Sequence, residues 1–135
     1  MPEPHLFEYA VIRVVPRVER EEFINVGVIL YCPKQKFLQC RIALNENRLQ
    51  SFAQDTDIDD LKANLNAFAN ICIGGKNSGP IGLLDAASRF RWLTATRSTV
   101  VQASKVHPGL CSADASQTLD KLQSCLLYTS DAADE

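Results

Sequence analysis

Apolar and polar positions alternate with two different periods along this chain. Residues 9–15, YAVIRVV, are rich in β-branched side chains and end at Pro16. Ala10, Ile12 and Val14 share one face of an extended segment, while Tyr9, Val11, Arg13 and Val15 share the other. Two apolar faces predict an inner strand, with Arg13 as the exception. Residues 17–23 form a charged crossover leading into a second strand at 25–31, where Gly27 marks a bulge or a close backbone approach. Residues 37–42 return with Leu38, Cys40 and Ile42 inward and Gln39 and Arg41 outward, as in a strand with one solvated face. If the loop at 33–36 closes a hairpin, Cys32 lies opposite Phe37 and Cys40 opposite Ile29.

The period then lengthens. Residues 45–53 suit a short helix. Asp57 is a good N-cap for a longer one, whose apolar face carries Ile58, Leu61, Leu65, Phe68 and Cys72 before Gly74-Gly75 stops it. Residues 76–80 read as loop, and 86–93 as a helical turn or loop bearing Phe90 and Trp92. Residues 98–103 read as a fourth strand, and His107-Pro108-Gly109 as punctuation. Ser112 or Asp114 caps a last helix with Leu119 and Leu122 on its face. The order β-β-β-α-(α)-β-α predicts an α+β fold: a small, mainly antiparallel sheet of about four strands packed against two to three helices.

The end of the chain alters the charge and cysteine counts. Residues 125–135, CLLYTSDAADE, reverse-translate into a transposase mosaic end plus sequencing adaptor, so they are expected to be a non-native tail on a single domain at 1–124. The whole chain has 14 basic and 16 acidic residues and a net charge of −2. Without Asp131, Asp134 and Glu135 there are thirteen acidic residues, and the net charge becomes +1. Neither balance provides a field for non-specific nucleic-acid binding or membrane adsorption. The remaining cysteines, Cys32, Cys40, Cys72 and Cys111, form no Cys-x-x-Cys pair and are expected as buried free thiols in a reducing cytoplasm. No secretory leader is expected, since residues 1–4 are short and polar before Glu8, and no apolar run approaches membrane-spanning length.

No phosphate loop, nucleophile elbow or zinc-binding helix signature occurs, so neither a metal nor a cofactor is expected. The best polar constellation is Arg13, Arg17, Glu22 and Asn25. A charge on an apolar strand face is costly unless paired. Arg13 therefore serves either an anion or peptide-carboxylate clamp, or a structural pair with Glu22 tying crossover to sheet. A second set comprises Arg89, Arg91, Trp92, Arg97, Ser98 and Thr99. Arginine beside an aromatic suits nucleic-acid or phosphopeptide contact, though snorkelling arginines around core aromatics need no ligand. His107 would serve as a general base or simply pack in a turn.

The segments YAVIRVVPRVEREEFINVGVILY, RFRWLTATRSTVV and VHPGL, in that order, resemble the bacterial family called domain of unknown function 3037. Arg13, Glu22, Asn25, Val26 and Gly27 carry the first block, and Arg89, Phe90, Trp92, Leu93, Arg97, Ser98 and Thr99 the second. His107, Pro108 and Gly109 carry the third. Thr96 and Ala103 stand where prolines are expected. The resemblance implies a cytoplasmic bacterial protein with no assigned reaction, encoded near HipA-like serine/threonine kinases in an antitoxin-like module. The leading expectation is a non-enzymatic interaction domain with such a kinase as partner. The alternatives are a phosphate-ester or phosphodiester enzyme with an arginine anion site, and a nucleic-acid module using Arg91 and Trp92.

Overall fold

The computed structural model describes residues 4–15, 23–45, 47, 57–95 and 100–128. β1 (His5–Val14) and β2 (Ile24–Cys32) pair antiparallel, and β3 (Phe37–Ile42) follows through a tight 3-10 turn at Pro33–Gln35. The hairpin register places Cys32 opposite Phe37 and Cys40 opposite Ile29, as the loop length required. Next come α1 (Ile58–Ile73), the short turn α2 (Gly79–Gly82) and α3 (Ala86–Thr94). β4 (Val101–Ala103), β5 (His107–Cys111) and α4 (Ala115–Gln123) complete the described order, with a final π-turn at Ser124–Tyr128. The sheet runs β3-β2-β1-β4, and β5 also pairs with β1, further along the same edge. The fold is α+β, with slightly more helices than the pattern indicated.

β1 is central because both of its faces are apolar. Ala10, Ile12 and Val14 join Ile24, Val26 and Ile29 beneath Leu61, Leu65, Phe68 and Cys72 of α1 and Phe90 and Leu93 of α3. On the opposite face Phe7, Val28, Leu30 and Cys32 meet Cys111, Ala115 and Leu119, so α4 covers that side. Burying side chains of this size stabilises the fold by roughly 1.5–3 kcal/mol each. The helices begin where the caps lie. Asp57 Oδ1 accepts from the Asp60 N–H at 3.1 Å, and Asp85 Oδ1 from the Ser88 N–H at 3.0 Å. Asp114, rather than Ser112, caps α4.

Three expectations change. His107-Pro108-Gly109 is not punctuation but the first half of β5, pairing with Tyr9, Glu8 and Phe7. Proline is tolerated on this edge strand because it removes a donor that no inner neighbour needs, and a Cβ at Gly109 would come 2.4 Å from Phe7 Cζ. The fourth strand spans only residues 101–103 among the described residues, and the helix expected at 45–53 lies almost wholly outside them. Finally, the outward face of β3 is not simply solvated. Arg41 reaches α4, with Nε 3.4 Å from Asp120 and Nη2 donating to Ser116 Oγ at 3.4 Å.

Ser104 explains the break between β4 and β5. Its N–H donates to the Val11 carbonyl at 2.8 Å, while its Oγ accepts the Val11 N–H at 2.8 Å. A side chain thus replaces one backbone rung and keeps β1 satisfied where the edge changes strand.

Candidate functional site

β1 and β2 change register between Ile12 and Arg13: Ile12 pairs with Gly27, but Arg13 pairs with Asn25. Val26 is the extra residue and turns into the α1 side of the core. A bulge of this kind re-aims side chains, and here it sets asparagine rather than valine opposite Arg13. Gly27, next to the bulge, lies so close to β3 that a Cβ there would approach the Arg41 carbonyl oxygen to 2.5 Å. Gln102 of β4 flanks Arg13 on its other side, so Asn25, Arg13 and Gln102 form a polar row across three strands.

The Arg13 guanidinium lies over the Phe23 ring, with Cζ 4.2 Å from the centroid. Stacking of this type uses the face of the guanidinium and not its in-plane donors. Arg13 Nε is buried without a hydrogen-bond partner, and so is Asn25 Oδ1. Burial lowers the Arg13 pKa from its ordinary value, yet arginine remains cationic at neutral pH. A buried donor and a buried acceptor left unmade in neighbouring residues are uncommon in native proteins. Arg17 and Glu22, the other members of the first set, lie outside the described residues.

The second set is elsewhere. Phe90 and Leu93 fix α3 on the α1 side of the sheet, whereas Arg13 points to the α4 side. Arg91 makes a fork-to-fork pair with Glu8, at 2.7 Å and 3.0 Å, and that bond raises its pKa. Trp92 is 37 % exposed and borders an apolar groove of about 440 Å³ with Phe68, Ile71 and Val101. Arg89 is a structural clamp: Nη1 donates to the Leu84 carbonyl at 2.7 Å and Nη2 to that of Cys72 at 3.5 Å. Arg97, Ser98 and Thr99 lie outside the described residues. His107 stacks on Tyr9, ring centroids 5.3 Å apart, in strand β5 instead of a turn. Sequence reasoning missed Phe23 as the platform for Arg13; an aromatic just before the second strand was the available signal.

Among the described residues no group of three or more His, Cys, Asp or Glu could hold a metal ion, and no helix is long and apolar enough to cross a membrane. A family model described as protein of unknown function, DUF3037, matches residues 9–127. The chain belongs to the DUF3037 family. Arg13, Asn25, Arg91, Trp92 and His107 all fall within the match. No match was found among curated proteins or among solved structures.

Proposed function

We propose that this DUF3037 protein is a non-enzymatic binding module that captures an acidic peptide segment of a partner protein at Arg13 and Asn25. One observation carries the reading: Arg13 Nε and Asn25 Oδ1 are both buried without a partner, on residues that face each other across β1 and β2. The guanidinium supplies donors for a carboxylate, and the asparagine carbonyl accepts a peptide N–H from the same segment. Ligand binding would therefore make good two unmade hydrogen bonds, each costing the free protein about 1–3 kcal/mol. The gene neighbourhood implied by the family resemblance makes a HipA-like kinase the first partner to try.

The test is co-expression of the full chain with the kinase encoded beside it, followed by size-exclusion chromatography and titration calorimetry. Wild type co-elutes, and Arg13→Gln weakens the complex by about 30-fold or more, as truncation of a buried charge contact does. Asn25→Asp places a carboxylate beside Arg13 and competes with the partner, so it also weakens binding. Unchanged affinity in folded Arg13→Gln protein rejects the site. Separate elution of two folded wild-type proteins rejects the kinase as partner.

A further inference from the structure

β3 ends the strand order β3-β2-β1-β4, so one of its edges has no neighbouring strand among the described residues. The phase of the ladder says which groups lie on that edge. The Ala43 N–H donates to the Val26 carbonyl at 2.7 Å, and the register continues without a shift through Arg41 opposite Val28, Gln39 opposite Leu30 and Phe37 opposite Cys32. In an antiparallel ladder these alternate residues turn both backbone groups toward β2, and the residues between them turn theirs away. Leu38, Cys40 and Ile42 therefore direct their N–H and C=O groups outward. Among the described residues no backbone group pairs with them, and the Cys40 carbonyl receives only a side-chain bond, from Arg41 Nη1 at 3.4 Å. β3 has neither a proline nor a bulge to protect this edge. β5 on the opposite side of the sheet is blunted, because Pro108 turns outward and has no N–H to offer.

We propose that this edge docks a second copy of the chain, β3 against β3, antiparallel about a two-fold axis at Cys40. The strand is self-complementary in that register. Leu38 meets Ile42 of the second copy, Cys40 meets its own equivalent, and Gln39 meets Arg41. Directly opposite side chains share a face of the sheet. Leu38, Cys40 and Ile42 thus extend the apolar layer beneath α1, in which all three already pack. Gln39 and Arg41 fall together on the α4 side, where Arg41 Nη1 donates to Gln39 Oε1 of its own strand at 3.0 Å; the same bond can form across the axis. Sliding one strand by two residues in one direction sets Arg41 against Arg41, a like-charge pair that is destabilising. Sliding it in the other direction sets Ile42 against Lys36, which sits in the left-handed turn. Charge and apolar complementarity therefore select a copy of this strand in a single register. The two-fold contact closes on itself and gives a dimer instead of a fibre. This inference is independent of the Arg13 site, which lies between β2 and β4.

The test is sedimentation velocity over a concentration series, on the full chain with Cys125→Ser to remove the exposed thiol. The protein is expected to reach twice the monomer mass as its concentration rises. Gln39 is exposed, so charges placed there leave the fold intact, which circular dichroism verifies. Gln39→Lys sets a like charge opposite Arg41 on both sides of the axis and weakens the dimer by about ten-fold, whereas Gln39→Glu strengthens it. Disulfide trapping reads the register: chains carrying Gln39→Cys and chains carrying Arg41→Cys are co-expressed, oxidised and mapped by mass spectrometry. The two positions form a non-hydrogen-bonded pair about 4.5 Å apart between Cα atoms, within disulfide range, so a 39–41 cross-link is expected in the mixture and in neither variant alone. A monomer at millimolar concentration overturns the proposal. A dimer of equal affinity in Gln39→Lys and Gln39→Glu overturns it too, because the contact then lies on another surface. Absence of the 39–41 cross-link in a charge-sensitive dimer overturns the register.

Discussion

Replacing Arg13 by methionine distinguishes a binding residue from a structural one by the sign of the stability change. In the free protein the Arg13 Nε is buried and unpartnered, so its removal recovers a desolvation cost of about 1–3 kcal/mol. The stacking on Phe23 at 4.2 Å is lost, which costs about 0.5–1 kcal/mol for a partly exposed cation. The methionine thioether next to the same ring returns about 0.3–1.5 kcal/mol. The sum is a net stabilisation centred on about 2 kcal/mol. In urea, where the slope for a small protein is about 1–3 kcal/mol per molar, the midpoint rises by about 1 M with the slope unchanged. The same variant should lose the partner. If Arg13 instead belonged to a buried ion pair, its removal would cost about 3–5 kcal/mol and the midpoint would fall by more than about 1 M. That outcome would refute the argument from the unmade hydrogen bonds.

Three further outcomes test the architecture around the site. Ser104→Ala leaves the Val11 N–H without its acceptor and destabilises by about 1–3 kcal/mol, whereas Ser104→Thr retains most of the stability; thermal unfolding of the two variants measures the difference. Gly109→Ala drives a methyl into the Phe7 ring and costs about 1–3 kcal/mol through overpacking, which a Phe7→Leu second substitution should partly relieve. Asp85 is held below its ordinary carboxylate pKa of 3.8 by its hydrogen bonds with Ser88. Its contribution is therefore present above that value and disappears as pH falls through the lower folded-state value. The stability gap between wild type and Asp85→Ala in urea titrations should be constant from pH 7 to pH 5 and close in more acidic buffer; a gap that persists in acid argues against a charge-dependent cap.

Part of the site was visible in the chain itself. Arg13 stands out because every other residue from Ala10 to Val15 is apolar and buried, and a lone charge in such a strand demands a reason. Its neighbour was less legible. Asn25 faces Arg13 only because Val26 bulges out of register, and two-residue alternation carries no information about where a bulge falls. Phe23 was read as the end of a charged crossover, although its ring is where the guanidinium rests. The arginine–aromatic segment of α3 had the appearance of a binding surface, yet Arg91 is already held by Glu8, 83 residues earlier.

Local periodicity and caps were enough to determine the α+β class, the β2–β3 register, the apolar stripe of α1 and its start at Asp57, while the start of α4 was left between Ser112 and Asp114. Each depends on residues a few positions apart, where hydrogen-bond geometry and side-chain period act within a single element. Tertiary structure alone decided that a Pro-Gly segment would serve as an edge strand and that Ser104 would supply a rung to Val11 from 93 residues away. It also decided that Arg13 would fall on one side of the sheet and Arg89 and Arg91 of α3 on the other. Those outcomes depend on which surfaces are buried against each other, and burial free energy rewards apolar contact without recording in the sequence which partner will supply it.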